Sequence, residues 1–207
     1  MCFVSQRSTN VESVSRAAGA PRSAADVIVR ALAPTDSFDE ITSVLHRAYR
    51  RQVEMGLRPL AGRQSADMTR RRALSSECYV ALLGPDGPAD GKRASPRARI
   101  AGVILLCEHE PDKGPPWFDR PGVVSFSQFG VDPDVQGRGI GRRLLEHVEK
   151  RAREMDATEL ALSMAEPDTD LMQFYTRLGF RFVEHWQWPY TNYRSAILSK
   201  TISSPGR

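Results

Sequence analysis

The sequence predicts a mixed α/β domain, one sheet covered by helices. Two observations carry this expectation. Short runs rich in Val, Ile, Leu and Phe alternate with segments of helical period, and the strands meet through turns early in the chain but across helices later. The order of elements reads β-α-α-β-β-β-α-β-α-β-β, with no internal repeat.

Residues 26–32 alternate β-branched and other side chains and read as a first strand. Asp36 and Ser37 offer caps for a helix running to about Arg51, with Ile41, Val44, Leu45 and Ala48 on one face. A second, Arg-rich helix is expected over residues 65–75. Residues 78–83 and 99–107 are strands joined by a long loop crowded with Gly, Pro and Ala, and a Pro-rich turn over 111–121 leads to a fourth strand at 123–131. The clearest helix runs from Gly139 to Met155, where Ile140, Leu144, Leu145, Val148, Ala152 and Met155 recur at helical spacing among charged residues. A fifth strand covers 159–164. A short helix over 171–178 closes at Gly179, a natural left-handed cap, and strands at 180–188 and 195–201 finish the chain.

The length of 207 residues suits a single domain, expected over 26–201, with a flexible leader at 1–25 and a tail at 202–207. Hydrophobic residues make up 41%, enough for a core, and no apolar run reaches membrane-spanning length. Residues 1–25 lack the continuous apolar stretch of a secretory signal. Cys2, Cys78 and Cys107 show no metal or redox spacing, and Cys78 and Cys107 lie in strand-like runs as buried thiols would. These features together predict a cytoplasmic protein without a metal. A net charge of +4, from 29 basic and 25 acidic residues, is too mild to call for nucleic acid. Arg70–Arg72 form one basic run, and Lys92, Arg93, Arg97 and Arg99 form another, which carries no interleaved aromatics for base stacking and reads as a solvated, flexible loop.

Chemistry concentrates in Val131-Asp-Pro-Asp-Val-Gln136-Gly137-Arg138-Gly139-Ile140-Gly141-Arg142-Arg143, where a strand ends, a glycine-rich turn follows and the long helix begins. Alternating glycines bend the backbone and leave its N–H groups uncovered, and a helix N-terminus adds four unpaired donors and a partial positive charge. Phosphate suits such a cradle. The charges point the same way. A first helical turn favours Asp or Glu, yet this one carries Arg138, Arg142 and Arg143, a placement costing a few tenths to ~1 kcal/mol each unless an anion binds. No Gly-Lys-Ser/Thr follows, so this is not the kinase-type P-loop, and the glycine spacing differs from GxGxxG.

Gln136-x-x-Gly139-x-Gly141 resembles the acetyl-CoA motif of the GNAT acetyltransferase superfamily. The run from Asp168 through Phe174, Tyr175 and Leu178 to Gly179-Phe180 is similar to that family's second signature. The two occur in family order, one strand apart. The resemblance implies a mostly antiparallel, mixed seven-stranded sheet with about four helices, acetyl-CoA as co-substrate, no metal, and an N-acetyltransferase acting directly on an amine of a small molecule, peptide or protein. It further implies that Phe129, Gly130 and Val131 hold the pantetheine arm and face the thioester oxygen, and that Gln136, Gly137, Arg138, Gly139, Ile140, Gly141 and Arg142 hold the pyrophosphate. Tyr175 takes the place of the general acid, in keeping with a phenol pKa of ~10.

Asp168 stands where relatives carry Asn, and serves either the cofactor or the N-cap of its helix. Ser125 and Ser163 occupy the positions where relatives place a catalytic Glu, so the base is open among Glu108, Glu166, His109 or a water chain. The aromatic stretch from His185 to Tyr193 borders an acceptor pocket, a dimer contact or the core. Neither Cys78 nor Cys107 has a neighbouring base, which points away from an acetyl-enzyme. The missing carboxylates leave a second reading, a non-catalytic acyl-CoA sensor of the same fold.

Overall fold

The computed structural model describes residues 27–84, 98–107 and 114–202. The expected leader, Glu108, His109, and the basic residues Lys92, Arg93 and Arg97 lie outside the described residues.

Seven strands form one sheet. They are β1 (Val27–Ala31), β2 (Glu77–Leu83), β3 (Arg99–Cys107), β4 (Val123–Val131), β5 (Glu159–Ala165), β6 (Arg181–Trp186) and β7 (Ser195–Thr201), in the order β1-β2-β3-β4-β5-β7-β6. Every neighbouring pair is antiparallel except β4 and β5, which run parallel because α4 crosses between them. Five helices cover the sheet: α1 (Phe38–Ala48), α2 (Arg50–Glu54) and α3 (Ala66–Leu74) ahead of β2, α4 (Ile140–Glu154) between β4 and β5, and α5 (Thr169–Arg177) after β5. The mixed sheet expected from the sequence is therefore present.

Local signals explain the helix ends. Ser37 caps α1 by accepting from the Glu40 N–H (3.3 Å), while Asp36 instead holds Arg30 at 2.7 Å. The helix expected to continue to Arg51 stops at Tyr49 (φ −92°, ψ 0°) and restarts as α2. Periodicity could not show this break, because Tyr49 continues the apolar face. Its ring is placed by distant contacts: Gly62 lies against its Cβ, and Gly130 of β4 against its ring. The last expected stretch of β6 also leaves the sheet, since Gln187 Nε2 donates to the Trp188 and Thr191 carbonyls and closes a turn.

Two apolar layers sandwich the sheet. On one face, Ile140, Leu144, Leu145, Val148 and Ala152 of α4 and Tyr175 of α5 pack on β1–β5 and β7. Each such Ile, Leu or Val contributes ~1.5–3 kcal/mol by leaving water. On the other face, Ile41, Val44 and Leu45 of α1 and Ala73 of α3 pack on β2 and β3. A third, aromatic cluster of Phe118, Trp117, Trp186 and Trp188 lies over Ala161 and Ile197.

Candidate active site

The site begins with a divergence of the two central strands. β4 and β5 pair only from Val123 opposite Glu159 to Phe126 opposite Leu162. Beyond that point β4 runs on to Val131 and β5 to Ala165 without further pairing. The edge of β4 carrying Phe129, Gly130 and Val131 thus faces an opening rather than a neighbour strand. A bulge deepens it. Gln128 adopts φ +48°, and the register against β3 shifts between Val103 and Leu105. A non-glycine residue held in the left-handed region costs about 1–2 kcal/mol, so surrounding contacts must enforce it. The bulge sends Phe129 toward α4, where its ring lies 3.2 Å from the position a Gly141 Cβ would take.

The turn into α4 adjoins this opening. Gly137 and Gly139 both have φ +78°, and a Cβ on either would meet nothing within 4 Å, so the turn is open on its outer side. Gly139 is the α4 N-cap and brings no side chain to satisfy the helix end. The Arg143 N–H donates to the Gly139 carbonyl (3.0 Å), whereas the N–H groups of Gly137, Gly139, Ile140, Gly141 and Arg142 have no partner among the described residues. Gln136 ties the turn to the strand by donating from Nε2 to the Val131 carbonyl (3.2 Å). A run of free donors at the positive end of a 15-residue helix, with no acidic residue in its first turn, fits a diphosphate. The arginines are partly committed elsewhere: Arg142 to Glu146 (2.7 Å) and Arg143 to the Val27 carbonyl (2.8 Å).

Asp132 anchors the turn, a role the sequence reading did not assign. It is 1% exposed and accepts from Arg47 of α1 (2.8 Å), Arg99 of β3 (3.1 Å) and the Asp134 N–H (3.2 Å). Burial pushes its carboxyl up, but the bonds from Arg47 and Asp134 and the charges of Arg47 and Arg99 outweigh it, holding the group below the usual carboxylate range. Its two cationic partners lie 85 and 33 positions away, beyond the reach of any local pattern.

Asp168 and Tyr175 belong to α5 and its cap. Asp168 caps that helix by accepting from the Leu171 N–H (3.2 Å) and is bound by Gln52 Nε2 of α2 (3.1 Å), so it joins α2 to α5. The Tyr175 ring packs among Phe126, Phe174 and Phe180. Its hydroxyl has no hydrogen-bond partner among the described residues. Burial, and then the charges of Tyr49 and Asp168, raise its pKa well above that of a free phenol. Tyr49 is itself pushed up to about 12 by burial, with Arg72 opposing.

A cavity of about 330 Å³ opens on the α1 side of the sheet. Its floor is Ser125 to Gln128 of β4 with Ser163 and Met164 of β5, and its walls are Tyr49 and Arg72 on one side and Trp188, Tyr190 and Tyr193 on the other. Trp188 Nε1 donates to Ser163 Oγ (2.9 Å), and its ring stacks on Tyr190 at 5.6 Å. No carboxylate among the described residues lines it. Glu166, expected as a base, stands outside this lining. It accepts from Arg194 at 2.6 and 2.8 Å and pairs with His185 at 2.9 Å. The Arg194 hydrogen bonds lower its pKa, with burial opposing and the Arg194 charge and His185 adding to them. The structure thus sets Phe129 of the β4 edge against the 136–142 turn, Tyr175 beside Phe126 of β4, and Asp168 between α2 and α5, while Glu166 stands outside the cavity lining.

Known proteins are similar to this chain. The mycothiol acetyltransferase of Mycobacterium marinum is 28% identical over 163 residues, covering 73% of this chain, but the chain spans only 46% of that relative's length. The S-(2-succino)cysteine N-acetyltransferase of Bacillus subtilis is 26% identical over 154 residues, covering 72% of this chain and 81% of the relative. The acetyl-CoA-bound structure of a GNAT acetyltransferase from Elizabethkingia anophelis superposes with a TM-score of 0.53 at 15% identity, over 85% of this chain and 98% of that one. The profile of the acetyltransferase (GNAT) family matches residues 43–180, a span that takes in the diverging strands, the glycine turn and Tyr175, and the chain belongs to that family.

Proposed function

We propose that this protein is an acetyl-CoA-dependent N-acetyltransferase that passes the acetyl group directly to a bound amine. The observation that carries the reading is the opening between β4 and β5 beside five unpartnered N–H groups at the start of α4. Acetyl-CoA supplies an activated acyl group with a good leaving thiolate, and its diphosphate suits those donors. The acetyl-CoA held by the E. anophelis structure and the names of the relatives support the same co-substrate and an amine acceptor.

In this reading the backbone of Gly137–Arg142 binds the diphosphate, Gln136 braces the turn, and the free edge of Phe129–Val131 holds the pantetheine arm. An amide of the same edge stabilises developing charge on the carbonyl oxygen, an interaction strengthened by exclusion of water. Tyr175 Oη keeps its proton at neutral pH because burial disfavours the phenolate, and gives it to the departing sulfur. Asp168 fixes α5, and with it Tyr175, against α2. The amine enters from the cavity on the α1 side, where Ser125 and Ser163 stand in the floor and Glu166 is held by Arg194, and its proton leaves through a chain of waters or to Glu108 or His109. The sensor alternative is not favoured: the relatives reported above are named for acetyl transfer.

Release of free CoA from acetyl-CoA in the presence of a panel of amines tests the proposal. Amine-dependent release, accompanied by thermal stabilisation of the protein by acetyl-CoA alone, is the expected result. Absence of both would refute it.

A further inference from the structure

The cavity on the α1 side holds a polar arrangement that neither the family motifs nor the proposed chemistry uses. Arg72 of α3 is half-buried in its wall. Its NH1 donates to Gln64 Oε1 (3.2 Å), and it has no carboxylate partner among the described residues. Gln64 is 3% exposed, and its Nε2 donates to Thr69 Oγ1 (2.8 Å) and to Gln128 Oε1 (2.7 Å).

This chain of bonds has a fixed direction. A guanidinium only donates, so Arg72 obliges Gln64 to present its oxygen. Gln64 must then turn its amide nitrogen to Gln128, which accepts through its own oxygen. The Gln128 Nε2 is left over: it is buried, without a partner, on a residue that is 4% exposed and lines the cavity. A buried donor left unmade costs ~1–3 kcal/mol, and Gln128 is also the residue held at φ +48°. A ligand in the cavity that Gln128 lines would offset the first of these costs.

The donor set defines that ligand. Arg72 contributes a cation and Gln128 an amide N–H, while no Asp or Glu among the described residues lines the cavity to receive a second positive charge. The remaining walls, Tyr49, Trp188, Tyr190 and Tyr193, offer flat aromatic surface. A volume of about 330 Å³ sits at the lower end of small-ligand sites. We infer that the acceptor is a small amine that also bears a carboxylate, an amino acid or a close derivative, whose carboxylate is received by Arg72 and the free amide of Gln128. A guanidinium and an amide N–H on one carboxylate give charge-assisted hydrogen bonds, which carry more discrimination than neutral ones. Polyamines and polycationic sugars meet an unpaired cation instead.

This inference rests on the reading of the cavity as the acceptor site. The test compares the common L-amino acids with their carboxamides and with spermidine, using acetyl-CoA and CoA release as the readout. At least one amino acid is expected to exceed its own carboxamide by about tenfold or more in kcat/KM, the lower range for hydrogen bonds to a charged group. Arg72→Met should bring that ratio to near unity and raise KM for the acid, and Arg72→Lys should restore part of the preference. Acetyl-CoA should still raise the melting temperature of both variants. Carboxamides or spermidine matching or exceeding the acids would overturn the inference, as would turnover of no acid at all. A wild-type protein that neither releases CoA with any amine nor shifts its melting temperature with acetyl-CoA would instead refute the acetyl-transfer reading itself.

Discussion

Replacing Gly139 with alanine separates the backbone requirement of the turn from its role in binding. Gly139 sits at φ +78°, where an L-residue with a Cβ loses about 1–2 kcal/mol. The new methyl meets no atom within 4 Å, so no clash adds to that figure. The lower entropy of the unfolded alanine chain returns roughly 0.4–1 kcal/mol. The net destabilisation is therefore about 1 kcal/mol, a fall in melting temperature of roughly 2–4 °C for a chain of this size. Gly139→Asn should lose less, because asparagine tolerates the left-handed region. The second effect appears only with ligand. In the proposed reading, the open space around the Cβ is where a diphosphate oxygen would meet the free N–H groups, and loss of one charge-assisted hydrogen bond costs roughly 1.5 kcal/mol, about tenfold in Kd. At acetyl-CoA concentrations of 100 times the wild-type Kd, stabilisation should fall from ~2.7 kcal/mol to about 1.4 kcal/mol. Differential scanning fluorimetry with and without acetyl-CoA measures both. A variant that melts at or above the wild-type temperature would refute the backbone argument, and an undiminished response to acetyl-CoA would refute the cradle.

Other substitutions probe other links. Tyr175→Phe should lower kcat by about 10²-fold, the lower range for general acids, while leaving the acetyl-CoA thermal response intact; an unchanged kcat removes Tyr175 from the mechanism. Because burial holds the Tyr175 proton, wild-type kcat should show no loss of activity from this group up to pH ~10, which a pH–rate profile checks. Asp132→Asn should cost roughly 1–3 kcal/mol at neutral pH, with the half-exposed arginines moderating the loss. Since the folded pKa of Asp132 is depressed, its contribution is full above the unfolded value of ~4 and is lost as pH falls through the folded one. Urea melts of wild type and variant should accordingly converge in acid and stay apart at neutral pH. Leu144→Ala removes a fully buried side chain between α4 and Gly102 of β3, and should cost ~2–5 kcal/mol in the same assay.

The amino-acid sequence by itself determined what depends on neighbours a few residues apart. The 3.6-residue spacing of Ile140, Leu144, Leu145 and Val148 is enough to define α4 and the face it buries. The glycines of residues 137–141 are enough to mark an open turn, and Gly179, at φ +89°, ends α5 as a left-handed cap must. What joins residues far apart was decided only by the tertiary structure. The divergence of β4 from β5 is seen only in the assembled sheet, where their pairing ends at Phe126 opposite Leu162. Asp132 appears in sequence as one more acidic turn residue, and becomes a buried anchor only when α1 and β3 bring Arg47 and Arg99 to it. Arg72, in the sequence one member of a basic run on an Arg-rich helix, lines a cavity once α3 packs on α1 and β2, and its bond to Gln64 sets the orientation of Gln128 64 positions further on. Periodicity reports which face of an element is buried; the partner that face meets is a property of the whole chain, and the chemistry of this site lies in those partners.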